Sequence, residues 1–198
     1  MDAVDALLAA AKVLSARGWT PATSGNLSVR DGAGFRVSAS GMDKGQLTRD
    51  DLLPVDADGR PAGARRPSAE TLLHAAIYAR FPAASAILHV HSRSATVLSR
   101  VVPGDRLVLE GYEIAKAFAG VETHEVPIVV PIVPNSQDIP TIVRAVEPLL
   151  AGDDRAPGYL IRGHGLYTWG RDVAEALRHL EAFDFLFTCE LEHRRLRA

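Results

Sequence analysis

The sequence predicts a single layered αβ domain built on a mostly antiparallel sheet, and three observations carry that expectation. Strand-like and helix-like stretches alternate without the regular βαβ rhythm of a parallel sheet. Two short alternating runs, Leu27 to Arg30 and Phe35 to Ala39, flank an Asp-Gly turn as in a hairpin. The 198 residues, 47% hydrophobic and 23% charged, fit one globular domain that buries most of its apolar surface without disulfides. Residues 1–198 therefore read as one unit, with no internal repeat and no low-complexity block.

The elements follow in order. Val4, Leu7, Leu8, Ala11 and Leu14 recur at helical spacing, and Gly18 stops that first helix. After the hairpin, "RPSAETLLHAAIYARF" carries start signals at Pro67 and Ser68 and an apolar stripe of Leu72, Leu73, Ala76 and Ile77. The apolar run "AILHV" reads as a buried strand, followed by a helix from about Ser92 to Arg100. "GYEIAKAFAG" is a short helix ended by Gly120, and "VPIVVPIV" is a proline-interrupted extended run. In "SQDIPTIVRAVEPLL" Ser136 is a capping residue and Pro140 must lie in the first turn. "GYLIRGHGLYTWG" gives two short strands joined at Gly163 to Gly165. From Arg171 onward Val173, Leu177, Leu180, Phe187 and Leu191 share one helix face.

Composition narrows the function classes. The formal net charge is -2 with both signs scattered, which argues against a general nucleic-acid or anionic-membrane surface. No stretch approaches the ~20 uncharged apolar residues needed to cross a bilayer. Asp2 and Asp5 stand where a signal peptide would be positive, and Lys12 and Arg17 interrupt the apolar run. The single cysteine, Cys189, has no internal disulfide partner and fits packing in a reducing cytoplasm. A soluble cytoplasmic protein is expected.

The chemistry-bearing residues begin with His89 and His91. The period of two in a strand sends both rings to one side, where one ion could be reached by both, or where they form a solvated pair at a strand end. His164, between Gly163 and Gly165, reads either as a third ligand or as a turn residue. Three histidines with one position left open is the layout of a catalytic zinc. Glu70, at the opening of the second helix, is a dipole or capping partner as readily as an acid or base, and His74 one turn on suits packing or a hydrogen bond. Glu113 on its short helix has the pattern of an exposed residue. The loops "TSGNLS" and "SASGMDKG" can present N–H groups and Lys44 to a phosphate, or be ordinary turns.

Taken together, "TSGNLSVR", "SASGMDKGQLT", "RPSAETLLH", "AILHVHSRSATVLSR", "LEGYEIAKAFAG" and "IRGHGLYTWG" resemble the class II aldolase family, nearly end to end. Within that family the pattern is most similar to a subgroup of sugar-phosphate dehydratases. The resemblance implies a three-layer α/β/α sandwich around a mixed, mostly antiparallel sheet. It also implies a homotetramer with active sites at subunit contacts, where a neighbour's residues complete the pocket. By the same likeness His89, His91 and His164 bind Zn2+, while Gly25, Asn26, Ser40, Gly41 and Ser68, assisted by Lys44, surround the substrate phosphate. Ala69 departs from the family, many members of which carry a second hydroxyl there, so one phosphate contact is lost or replaced. Glu113 matches the acid/base position of the dehydratase subgroup and is preferred, with Glu70, the match to the aldolase glutamate, second. The implied reaction is loss of water from a 2-ketose 1-phosphate through a metal-stabilised enediolate. The alternatives are an aldolase or epimerase of another sugar phosphate, and a metal-free interaction module like the adducin head.

Overall fold

A computed structural model describes residues 1–150 and 156–197. Its frame is one sheet of eight strands: β1 (Asn26–Asp31), β2 (Gly34–Ser38), β3 (Leu52–Val55), β4 (Ala86–Val90), β5 (Arg106–Leu109), β6 (Ile128–Val133), β7 (Gly158–Ile161) and β8 (Gly165–Gly170). The strand order is β3-β2-β1-β4-β8-β7-β6-β5. Every pairing is antiparallel except that of β6 with β7. The expected mixed, mostly antiparallel sheet is therefore found.

Helices cover both faces. On one side lie α1 (Ala3–Ala16), α3 (Arg93–Val101) and α5 (Val173–Arg197), and on the other α2 (Thr71–Arg80) and α4 (Ile139–Leu150). The first core joins Leu7, Leu14, Leu88, Val90, Leu98, Leu180, Phe183 and Phe187, and the second joins Phe35, Leu73, Ile77, Ile87, Ile142, Tyr159 and Tyr167. Each fully buried Leu or Phe contributes about 1.5–3 kcal/mol, so the two cores hold the three layers together without a disulfide.

Several boundaries differ from the sequence reading. Pro67 and Ser68 do not start α2. Pro67 bridges to Ala39, and the helix opens at Thr71 with Glu70 in the capping position but making no cap with its side chain. Ser136 is not the cap of α4. Its Oγ accepts from the Asp138 N–H, and the Asp138 carbonyl receives the first helical bonds, with Pro140 in the first turn as expected. "EIAKA" forms a 3-10 helix rather than an α-helix, and β3 and β5 were not anticipated. At the sheet's centre the period of two holds. Ile87 joins the core under α2 and α4, whereas Leu88 and Val90 join the opposite one.

Candidate metal centre and cleft

The antiparallel ladders bring three chain segments to one end of the sheet's middle. Asn26 pairs with His89 across β1 and β4, and His89 pairs with Tyr167 across β4 and β8. Leu166 faces Val90 in the same ladder, and a Cβ on the preceding Gly165 would lie 2.1 Å from the Val90 carbonyl oxygen. Only glycine permits this approach, and it sets His164 at the mouth of β8. Gly25, with φ +76°, makes the equivalent entry into β1, where a Cβ would come 2.6 Å from the His89 carbonyl.

The three histidines converge. His89 Nε2 lies 3.0 Å from His91 Nε2 and 3.4 Å from His164 Nε2. His89 is fully buried, and its Nδ1 donates to the Leu166 carbonyl at 3.0 Å, which leaves Nε2 as a bare lone pair. Burial, reinforced by the neighbouring rings, holds His89 well below the usual histidine range and lowers His91 to about 4. His164 is oriented by Asn135 at 3.3 Å through Nδ1, and its backbone carbonyl accepts from Thr96 Oγ1 at 2.9 Å. An imidazole whose outer nitrogen is held by a backbone carbonyl, as in His89, or by a side-chain amide, as in His164, suits a divalent cation, and the donor set of three histidines is one that zinc takes.

Glu70 completes the cluster. Its Oε2 is 3.3 Å from His89 Nε2 and its Oε1 3.3 Å from His164 Nε2. Asn26 Nδ2 donates to Oε2 at 2.7 Å and the Tyr167 hydroxyl at 2.9 Å. The carboxylate that could have capped α2 is turned to the histidines instead, which replaces the dipole-partner alternative.

A cleft of about 820 Å³ opens over this cluster. Gly25, Ser40, Gly41, Ser68, Glu70, His91 and His164 all line it, together with Thr23, Arg93, Asn135, Ser136 and Gln137. Two non-glycine residues in its rim loop, Ala22 (φ 51°) and Thr23 (φ 62°), sit in the left-handed region, strain that collects at ligand-binding loops. Lys44 stands behind this wall. Its buried ammonium donates to the carbonyls of Thr23 at 2.6 Å and Met42 at 2.7 Å, tying the two loops together. Burial pulls its pKa down. Asn26 likewise spends its amide on Glu70 and lies outside the lining residues.

Glu113 is not brought to the histidines within the chain. It is exposed on the 3-10 helix, bound to Lys116, with His124 Nδ1 at 3.4 Å, and Lys116 holds its carboxyl below the ordinary glutamate value. That helix is fastened to α5: Tyr112 donates to Glu190 at 2.9 Å, Arg178 to the Ala117 carbonyl at 3.0 Å, and the Ala119 N–H to His179 at 3.3 Å. Tyr167 and Arg93 were missed by sequence reasoning. The signal for Tyr167 was its place two residues beyond Gly165 on a strand, which puts it on the histidine face once β8 is paired with β4.

Comparison with known proteins gives one picture. The profile of the Class II Aldolase and Adducin N-terminal domain family matches residues 5–191. A methylthioribulose-1-phosphate dehydratase of Marinobacter nauticus is 52% identical over 198 residues, covering 98% of this chain and 95% of its own. One from Pseudomonas aeruginosa is 54% identical over 188 residues, covering 94% and 92%. Among solved structures, the L-fuculose-1-phosphate aldolase of Thermus thermophilus superposes with a TM-score of 0.79 at 27% identity, over 98% of this chain and 96% of that one. Among the described residues no helix is long and apolar enough to cross a membrane.

Proposed function

The chain belongs to the Class II Aldolase and Adducin N-terminal domain family, and on that premise we propose that it is a methylthioribulose-1-phosphate dehydratase, a lyase of methionine salvage. It removes water from 5-methylthioribulose 1-phosphate to give 2,3-diketo-5-methylthiopentyl 1-phosphate. The substrate reading rests on end-to-end similarity to relatives of that name. The chemical reading rests on one observation: three histidine Nε2 atoms and both Glu70 oxygens face one another in the floor of one cleft.

His89, His91 and His164 hold the cation, for which we favour Zn2+. Bound there, it supplies Lewis acidity to the oxygens of a 2-ketose. Gly25, Ser40, Gly41 and Ser68 receive the phosphate, and Lys44 serves it indirectly by fixing the loops that carry Thr23 and Met42. Asn26 holds Glu70 rather than the phosphate.

Two carboxylates share the proton transfers. Glu70 Oε2 is occupied by Asn26 and Tyr167, so Oε1 is the atom free to take the proton from carbon 3. The hydroxyl leaving carbon 4 needs a proton, and Glu113, rigidly displayed on the outside of the chain, delivers it from a neighbouring copy in a homotetramer. This reverses the order expected from sequence, which put Glu113 first. The enol left at carbons 3 and 4 ketonises by protonation at carbon 4, closing the balance as substrate minus one water. A cytoplasmic site of action goes with the phosphorylated substrate.

The test is turnover by zinc-loaded protein of methylthioribulose 1-phosphate, followed by NMR, with fuculose 1-phosphate and ribulose 5-phosphate alongside. Diketone from the first substrate alone supports the dehydratase. Cleavage or epimerisation of another substrate would move the enzyme elsewhere in the family.

A further inference from the structure

We propose that His74 is a positioning residue that orients Glu70 through the side-chain amide of Asn26. The proposal rests on the reading of Glu70 as the group that accepts the substrate proton.

The donors and acceptors along one buried chain of side chains fix where each hydrogen lies. Asn26 Nδ2 donates to Glu70 Oε2 at 2.7 Å, so the amide turns its oxygen toward α2. There it meets His74 Nε2, which has to carry the proton of the neutral ring because the amide oxygen can only accept. His74 Nδ1 is left as the acceptor, and Ser28 Oγ donates to it at 2.7 Å. Ser28 Oγ in turn accepts from the Tyr78 hydroxyl at 2.9 Å. The Arg30 guanidinium lies 4.6 Å from the centre of the Tyr78 ring and bonds the Tyr78 carbonyl at 2.8 Å, which anchors the far end. Every hydrogen in the series points one way.

The ring is held in its plane by its neighbours, and a half-turn would set carbon atoms against Asn26 and Ser28 in place of its nitrogens. His74 is fully buried, parallel to Phe35 and edge-on to Tyr167. Its pKa is lowered to about 3 by burial, so the ring stays neutral with one donor and one acceptor. A leucine would fill the same space between α2 and β1 but would leave the Asn26 amide free to rotate by half a turn. In that rotamer an amide oxygen faces the Glu70 carboxylate, and the base loses its fixed donor. His74 never reaches the cleft, so it acts on Glu70 without contacting substrate.

The experiment compares His74→Leu, His74→Gln, Asn26→Ala and the His74→Leu/Asn26→Ala double variant on the zinc-loaded protein. His74→Leu should lower kcat by about tenfold to a hundredfold, the loss expected when a buried polar group is left unpartnered, with KM and bound metal nearly unchanged. His74→Gln restores an N–H toward Asn26 and should recover most of that loss. The double variant should be no slower than Asn26→Ala alone. Multiplicative losses in the double variant, or a parallel rise in KM and fall in metal content, would overturn the proposal. Imidazole 15N NMR reads the arrangement without turnover: His74 should be the Nε2–H tautomer, opposite to His89, and an Nδ1–H His74 would refute it even if every variant folds. The substrate assignment fails on wild-type turnover, whereas the positioning fails on the tautomer and the cycle.

Discussion

Asn26 stands directly opposite His89 in the antiparallel pairing of β1 with β4. The residue that holds the Glu70 carboxylate and the buried member of the histidine cluster are thus registered by the same ladder. A slip of one residue between these strands would put the two side chains on opposite faces of the sheet.

Gly165→Ala tests how closely that ladder is packed. The added Cβ would meet the Val90 carbonyl at 2.1 Å and the His89 and His91 rings at 3.1 Å. Overpacking of this kind costs about 1–3 kcal/mol. A lower Tm together with weaker zinc retention is expected by thermal melts and metal analysis. A variant with unchanged Tm and metal content would mean that β4 and β8 yield more readily than their contacts imply.

His91→Ala should empty the site while keeping the fold. The ring is only half-buried beyond the end of β4, and the two apolar cores do not involve it. Circular dichroism should be native and the bound metal lost. Unfolding instead would make the cation a structural staple.

Mixed oligomers test whether Glu113 acts across subunits. Glu70→Gln and Glu113→Gln should each reduce turnover by about a hundredfold or more when assembled alone. Random co-assembly in equal parts should return about a quarter of wild-type activity, because one in four sites then combines an intact Glu70 with an intact Glu113 from its neighbour. No recovery on mixing would confine the chemistry to one chain.

Glu175 gives a pH signature remote from the cleft. The carboxyl is buried at the start of α5, bonded to the Arg171 side chain and to the Arg171 N–H, and these contacts lower its pKa from 4.5 to about 2. A carboxylate lowered in the folded state adds stability above its unfolded pKa, and that contribution is lost as pH falls from about 4.5 to about 2. Arg171 is exposed, which reduces the gain, and Glu175→Gln should cost about 1–2 kcal/mol at pH 7 and nearly nothing at pH 2. Thermal melts of both proteins at the two pH values measure the difference, and an equal gap at both would contradict the assignment.

The period of two in "AILHVHS" made the histidine pair legible because strand alternation is local, and the glycines around His164 marked a tight turn for the same reason. Glu70 was ambiguous because a glutamate at a helix start has two uses. Only the pairing of β1 with β4, whose strands are some 60 residues apart in the chain, shows its carboxylate turned to Asn26 and the histidines rather than to its own helix. Lys44 looked like a phosphate group from its loop, yet two carbonyls on separate segments take its ammonium. His74 read as packed or hydrogen-bonded, and it is both. Glu113 is singled out by resemblance alone, since an exposed carboxylate with a lysine one turn away carries no local sign of chemistry.

β4 runs through the interior of the sheet, with three strands between it and the outside on the β1 side and four on the β8 side. Fluctuations that fray a sheet begin at its margins, here β3 and β5, and their amides should exchange with solvent through small openings. The amides of the β1–β4–β8 ladder should exchange only when the molecule opens as a whole. The histidine cluster thus inherits the kinetic lifetime of the native state, and a chelator would have to work through the cleft mouth rather than wait for the floor to come apart.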